Sequence, residues 1–267
     1  SYAAALLLAA FFVVPILWLA SLSIRAPEEV FLGAARFVPE APTLDNFRQI
    51  LTDRNFGLYL WNGVKLCALG ALGALAVATP AAYAFSRRRF RGASPLMIGI
   101  LTVQMVSPLV LLIPLYRYME RLDLLETHAA AAGVYMALGV PLAVWILKAA
   151  FDAIPRALEE AAAIDGCSAP ATLLFVTLPL ALPGMASAFV LNMLMGWSQF
   201  LVPFILLTDD AKQPISVAIF NYAGSTSAST TQLLAAACLV TVLPAVAAFL
   251  ALQRLILRAL VAGAVKG

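Results

Sequence analysis

The sequence has few charged residues and almost no histidine. Charged side chains make up 12% of the 267 residues, and the only histidine is His128, whereas soluble domains are about 25% charged. His128 lies between two apolar runs, where we expect a solvated loop or helix-start residue, so neither a His-Glu-x-x-His metal site nor a Ser-His-Asp triad is expected. The three cysteines, Cys67, Cys167 and Cys238, lack the spacing of a metal site.

Motifs for nucleotide and nucleic-acid binding are missing as well. No Gly-x-x-x-x-Gly-Lys-[Ser/Thr] loop is present, so we expect the chain to bind no nucleotide or other cofactor and to catalyse no ATP hydrolysis. The net charge of +3 is small, and no basic run alternates with aromatic residues. Nucleic acid is therefore not expected as a partner.

Most residues of the chain are apolar. They make up 63% of it, with a mean hydropathy of +0.94, against about 45–50% in soluble domains. Runs of about 20 apolar residues are long enough to cross a bilayer as helices. Six such runs lack Asp, Glu, Lys, Arg and His: 3–24, 66–85, 95–116, 129–147, 173–208 and 233–252. We therefore predict an all-α polytopic membrane protein with six transmembrane helices in a single domain, 1–267, with a first helix at 3–24 and core spans within 66–252.

Two of these runs need comment. The first exceeds the 7–15 apolar residues of a secretory signal, so we expect it to remain as an uncleaved helix. The fifth is too long for one crossing of about 30 Å. We expect Pro179 and Pro183 to break it, because proline lacks an amide donor and clashes with the preceding turn, so that the membrane part starts near Leu180.

A cluster of arginines sets the expected orientation. Arg87, Arg88, Arg89 and Arg91 lie between the second and third runs without an acidic neighbour. Basic residues in short loops favour the cytoplasmic side. Both termini and the polar segment 152–172 would then be cytoplasmic.

Segment 152–172, hereafter the elbow, has the pattern of a short helix, a turn and a second helix. Pro155 suits a helix start, and Gly166 after Asp165 can take the left-handed conformation that ends one. Ser168 and Pro170 then mark the start of the next helix. The elbow carries four carboxylates that we expect to be solvated and to face a partner: Asp152, Glu159, Glu160 and Asp165.

The elbow resembles a known docking loop. Glu160-Ala161-Ala162, Asp165-Gly166 and Leu178-Pro179 follow one another in register, similar to the loop by which permease subunits of ATP-binding-cassette importers dock onto their ATPase. An ordinary amphipathic surface helix is the alternative. The resemblance implies that Glu160 pairs with a basic group of the ATPase and that Glu159, on a neighbouring face, matters less. The coupling residues it implies in the elbow region are Glu160, Ala161, Ala162, Asp165, Gly166, Leu178 and Pro179.

A closer resemblance is to the maltose-type sugar permeases, specifically the second, shorter member of the permease pair. It is carried by Pro15-Ile16-Leu17-Trp18, Leu44-Asp45-Asn46-Phe47, Ala82-Tyr83-Ala84-Phe85-Ser86-Arg87 and the Gly-rich end Leu260-Val261-Ala262-Gly263-Ala264-Val265-Lys266-Gly267. The resemblance implies a multi-pass protein of a prokaryotic cell membrane, working with a second homologous permease, two ATPase subunits that bind ATP and magnesium, and an external solute-binding protein.

The same resemblance implies further roles. Lys266 and Gly267, in the tail, would reach between the ATPase subunits. The outer loop 209–231 would touch the solute-binding protein. The solute would be a disaccharide or oligosaccharide, with maltose-like and trehalose-like sugars ahead of glycerol phosphates.

Polar residues inside two of the apolar runs form a candidate solute pathway. The fifth run contains Asn192, Trp197, Ser198 and Gln199, and the third contains Gln104. At membrane depth such groups bond to another helix, the commoner case, or line a pathway. Family members often carry Trp-Asn where this chain has Trp197-Ser198, and the resemblance implies that the main sugar site lies in the partner permease.

A different class, an ion-coupled carrier or channel, is the second hypothesis. Such carriers place ionisable residues near the bilayer midplane. The six runs contain none, which leaves no residues for a proton relay, whereas a sodium site of backbone carbonyls stays open.

Overall fold

The computed structural model describes residues 2–31, 37–88, 90–224 and 231–264. Within these ranges the regular structure is helical and no strand is found. The helices are α1 Tyr2–Ser23, α2 Pro27–Phe31, α3 Asp45–Thr52, α4 Arg54–Arg87, α5 Ala93–Thr102, α6 Pro108–Arg121, α7 His128–Asp152, α8 Arg156–Ile164, α9 Ala169–Thr172, α10 Leu178–Trp197, α11 Leu201–Leu206, α12 Ile215–Gly224 and α13 Thr231–Ala264. The all-α prediction is confirmed.

The chain forms two compact units. The first comprises Ser1–Gly63 with Asp209–Val246, and the second Val64–Thr208 with Ala247–Gly267.

Among the described residues, five helices are long and apolar enough to cross a membrane, and the number is six if a bent pair is counted as one span. The five are Tyr2–Ser23, Asn55–Arg87, His128–Asp152, Ala169–Trp197 and Thr231–Leu250. Large apolar side chains along α1 are exposed, such as Leu7 at 72% and Phe11 at 73%. Surface of this kind requires lipid or another protein, as the composition indicated.

The third predicted run, 95–116, is not one straight helix. Segments Ala93–Met105 and Leu109–Arg121 are bent by 94°. Pro108 begins α6 and Ser107 before it is extended, with φ −62° and ψ 128°. Since the residue before a proline is pushed out of the α region, the break is placed where the sequence has Ser107-Pro108.

The fifth predicted run also differs from expectation. The prediction that Pro179 and Pro183 break it is wrong, because Ala169–Trp197 is continuous. A π-helical turn at Leu173–Thr177 leads directly into α10. This wide turn accommodates Pro179 at the start of α10, and spanning helices packed by neighbours tolerate internal proline. The break comes after Trp197, before α11.

The core of the second unit is built around α7. Its buried residues Val144, Leu147 and Phe151 pack with residues of α4 and α10, and the Phe151 ring meets the Tyr83 ring edge-on. Small residues allow the helix axes to come close, since a Cβ added at Gly70 would lie 2.5 Å from Tyr135 Cβ. Close packing through small residues is common between membrane helices.

We expect Gly70→Ala to destabilise the protein by about 1–3 kcal/mol, because the added methyl group overlaps a backbone-attached atom of α7. The measurement is thermal unfolding in detergent followed by fluorescence-detected size exclusion. Gly133→Ala is the control, because no atom lies within 4 Å of a Cβ there. Equal transition temperatures for the two variants would contradict the close approach of α4 and α7.

In the first unit, the Asn46 side chain binds the backbone where the first helix ends. Its side-chain amide donates to the carbonyl oxygens of Ser23 and Arg25, both at 2.8 Å. Arg25 is only 3% exposed and stacks its guanidinium over the Trp18 ring at 5.4 Å. These contacts fix the chain where it leaves α1.

The outer loop expected at 209–231 is partly helical. Asp209 begins a short turn, and the amide of Ala211, followed by the Lys212 side chain, lowers the pKa of the Asp209 carboxyl by hydrogen bonding. Helix α12 then buries Ile215, Val217 and Ala218. Residues 215–224 of this expected outer loop therefore form a helix whose apolar residues pack inward, while 225–230 lie outside the described residues.

Candidate functional site

Helix α8 forms the first half of the elbow. Pro155 lies at its N-cap and Asp165 at its C-cap. Gly166 has φ +85°. The amide of Gly166 donates to Ala163 O at 3.1 Å, and that of Cys167 donates to Ala162 O at 2.9 Å. This pair of bonds is a Schellman motif, so the predicted helix and its left-handed glycine stop are confirmed. Ser168 and Pro170 begin α9, also as predicted.

Gly166 is required for its backbone conformation and not for space. A Cβ there would meet no atom within 4 Å. We expect Gly166→Val to weaken the turn by about 1–2 kcal/mol, because a branched side chain is strained at positive φ. Gly166→Asn is the matched control, since asparagine tolerates this conformation better. The unfolding temperature should fall for the valine variant and change little for the asparagine variant; equal effects would contradict the conformational explanation.

One face of α8 is exposed and carries both charge and apolar surface. Glu160, Ala161 and Asp165 are exposed. Leu158 is 45% exposed and Ile164 is 87% exposed. An apolar side chain as open as Ile164 on a short polar helix is typical of a contact surface for another protein. The opposite face is buried through Ala162.

Glu159 lies on the inward side, which corrects the expectation that it is solvated. Its Oε1 accepts from Arg87 Nε at 2.8 Å and from Thr177 Oγ1 at 2.9 Å, and its Oε2 accepts from the Tyr83 hydroxyl at 3.2 Å. The side chains of Arg87 and Glu159 are only 10% and 13% exposed. One residue of the Glu159-Glu160 pair therefore faces the chain's own helices, and the other faces outward.

Further polar bonds tie the ends of α4, α7 and α8 together. Arg87 Nη2 donates to Ile154 O at 3.1 Å, and Arg156 Nη2 donates to Ser86 O at 3.0 Å. The Ser86 hydroxyl donates to Asp152 Oδ1 at 2.5 Å. Asp152 thus also bonds within the protein, in part against the expectation of a purely solvated residue. An open cleft of about 310 Å³ borders this network between α8, α9 and α4.

The remaining predicted coupling residues are placed as follows. Leu178 begins α10 and packs against the core of the second unit. Pro179 follows it and is exposed. Lys266 and Gly267 lie outside the described residues.

The polar residues of the predicted pathway are only partly brought together. Asn192 and Gln199 line one small cavity of about 30 Å³ with Tyr135, Gly139 and Cys67. Asn192 Nδ2 donates to Ala188 O at 2.8 Å, a bond within its own helix. The Tyr135 hydroxyl donates to Gln199 O at 3.5 Å. The volume suits about one water molecule, so the cavity in this conformation is too small for a sugar.

The other three residues lie elsewhere. Trp197 packs in an apolar cluster, and the Ser198 hydroxyl donates to Met195 O at 3.0 Å on an exposed position. Gln104 is exposed at the turn between α5 and α6 and does not line the cavity.

Sequence reasoning missed the partners of Glu159 and Asp152. Tyr83, Ser86 and Arg87 are far from the elbow in sequence, whereas Thr177 follows it closely but lies in an apolar run. Only Arg87 stood out, as one of the arginines expected to be cytoplasmic. The available indication of a role in polar contacts was that these polar side chains lie at the ends of apolar runs. Tyr135 and Gly139 gave none, because they look like ordinary residues of an apolar helix.

The comparisons with known proteins identify the family. Residues 70–261 match the family described as "Binding-protein-dependent transport system inner membrane component". The chain belongs to this family, whose members are permease subunits of ATP-binding-cassette importers. The resemblance to maltose-type permeases is confirmed, and the ion-coupled carrier or channel is not favoured.

Several relatives match over most of their length. The trehalose/maltose transport system permease of Thermococcus litoralis is 31% identical, with 98% of this chain and 95% of that protein covered. The maltose/maltodextrin permease of Escherichia coli K12 is 35% identical over 79% of this chain and 72% of that protein. The sulfoquinovosyl glycerol permease of Agrobacterium fabrum is 30% identical, with 95% and 88% covered.

Solved structures support the fold. A bacterial ABC transporter involved in the import of the acidic polysaccharide alginate aligns with a TM-score of 0.79 at 23% identity, covering 95% of each chain. A second structure, of a bacterial alginate ABC transporter in complex with its periplasmic protein bound to an alginate pentasaccharide, aligns with a TM-score of 0.58 at 16% identity, covering 80% of this chain and 81% of that chain.

Proposed function

We propose that this chain is the non-catalytic permease subunit of a sugar importer, and that α8 docks it onto an ATPase. The outward face of α8 carries the proposal: Glu160 and the 87% exposed Ile164 are presented on a helix held at both ends. An apolar anchor beside a carboxylate suits a groove with a basic rim. ATP and magnesium would bind in the ATPase, and a second permease and an external solute-binding protein would complete the assembly.

For the solute we propose a disaccharide or oligosaccharide. The curated relatives include permeases for trehalose/maltose and for maltose/maltodextrin. The six apolar runs contain no basic residue that would bind a phosphate, which disfavours glycerol phosphates. Because the cavity at Asn192 suits about one water, a sugar would cross in another conformation or in contact with the partner permease.

Purification and reconstitution test this function. The tagged chain, purified from its native cells, should copurify with an ATPase. Vesicles containing the complex should then take up radiolabelled trehalose or maltose only with ATP and the solute-binding protein. Uptake driven by a proton or sodium gradient without ATP would instead support a carrier.

The orientation is a separate prediction. With the native cysteines replaced, Phe90→Cys should react with impermeant maleimide only from the cytoplasmic side, because it lies among the arginines. Glu40→Cys and Thr226→Cys should react from outside. Labelling of position 90 from outside would overturn the topology with both termini cytoplasmic.

A further inference from the structure

The Glu159 carboxylate connects three parts of the second unit. It accepts hydrogen bonds from Tyr83 and Arg87 at the end of α4 and from Thr177 in the π turn below α10. Glu159 itself belongs to α8. We propose that Glu159 is a positioning residue that transmits displacement of α8 to α4 and α10. This rests on the proposed docking of α8 onto an ATPase.

The ion pair at the centre of this connection is largely shielded, although the open cleft borders it on one side. Arg87 and Glu159 are 10% and 13% exposed, so water replaces their contact poorly when they separate, and charges attract more strongly at a low local dielectric. Arg87 also bonds to Ile154 O, at the entry to α8. A displaced α8 therefore pulls the end of α4 with it rather than sliding past.

The second connection meets α10 at an irregular place. Thr177 is fully buried and ends the π turn Leu173–Thr177. A π turn departs from α-helical hydrogen bonding and often marks a functional position. The start of α10 can thus rearrange its backbone hydrogen bonds at a smaller cost in stability than a regular helix could. This is the place where Thr177 bonds to Glu159.

Both helices that Glu159 holds reach the small cavity in the bundle. Cys67 of α4 and Asn192 of α10 line it. Cys67 lies about 24 Å along the helix from Tyr83, at about 1.5 Å per residue. A shift at Glu159 is therefore carried by two continuous helices to the region where the polar residues cluster.

A purely structural role is the competing explanation. It predicts that variants lose folded complex but that the remaining complex uses ATP normally. A coupling role predicts a changed ratio of ATP hydrolysed to sugar transported, measured per folded complex. The ratio therefore separates the two.

The test uses the complete transporter in vesicles with its solute-binding protein, with radiolabelled trehalose or maltose as the probe. Glu159→Gln keeps the side-chain shape and removes the charge. We expect it to copurify with the ATPase while the ATP-to-sugar ratio rises roughly tenfold, within the range of coupling between distant sites. Tyr83→Phe and Thr177→Val each remove one donor and should raise the ratio less. Glu120→Gln is the matched control, because it makes the same carboxylate-to-amide change at an exposed residue of α6 outside this network, and should leave the ratio unchanged.

The outcomes are distinct. A wild-type ratio in Glu159→Gln, Tyr83→Phe and Thr177→Val overturns the proposal, as does a ratio that rises equally in Glu120→Gln. If Glu159→Gln does not assemble, Tyr83→Phe decides in the same way. A wild-type complex without ATP-dependent uptake would overturn the proposed function itself, and this proposal with it, whereas normal wild-type transport with unaffected variants overturns this proposal alone.

Discussion

Glu160→Lys should abolish copurification of the ATPase while leaving the permease folded. Glu160 is exposed on the outward face of α8, so reversing its charge costs the isolated chain little. In the assembled importer the same side chain would be desolvated against a basic group, where breaking one side of a buried pair costs about 3–5 kcal/mol. The measurement is the ATPase content of the purified complex together with the unfolding temperature of the permease.

Glu120→Lys is the matched control for this experiment. Glu120 is an exposed carboxylate near the end of α6, on the side of the membrane predicted to be opposite to the cytoplasm. It should change neither copurification nor stability. Wild-type ATPase content in Glu160→Lys would mean that α8 is an ordinary surface helix.

Glu159→Lys should have the opposite effect and destabilise the permease itself. The new ammonium would face Arg87 at a site where both original side chains are nearly buried. Placing a second cation beside the nearly buried Arg87, with no acceptor oxygen left for its guanidinium, costs about 3–5 kcal/mol, a large part of a total stability of about 5–15 kcal/mol; glutamine, in contrast, keeps an oxygen that accepts from Arg87. The yield of monodisperse protein and its unfolding temperature should both fall sharply.

This result would reverse the expectation that Glu159 matters less than Glu160. Glu160→Lys measured alongside should retain a near-wild-type unfolding temperature. A Glu159→Lys variant as stable as Glu160→Lys would show that the pair with Arg87 does not form.

Local rules predicted the elbow well. Pro155, Gly166, Ser168 and Pro170 determine backbone conformation by their own chemistry, and each lies where that chemistry placed it. The apolar runs likewise identified spanning helices, because a segment of that length without charge has few other stable states.

Contacts between distant segments could not be predicted in the same way. The sequence offers Glu159 and Glu160 as equivalent neighbours, and only packing of α8 against α4 decides which one faces inward. Proline was over-interpreted for a related reason. How much Pro179 destabilises the helix depends on the geometry of the preceding turn, and the residue composition does not reveal that this turn is a π turn. At Ser107-Pro108 the same residue type did break the helix, because there the preceding residue is extended.

Helix α1 has a consequence for how the protein is made. No residue of its most apolar stretch is buried by the part of the chain that the structure describes, so in the bilayer these segments add little to its stability. It can leave the translocation machinery into lipid as soon as it is synthesised and serve as the anchor for the rest. Helix α7, by contrast, buries Ala131, Ala143 and Leu147 completely. Its stability depends on α4 and α10, so the second unit becomes stable only after α10 has been inserted.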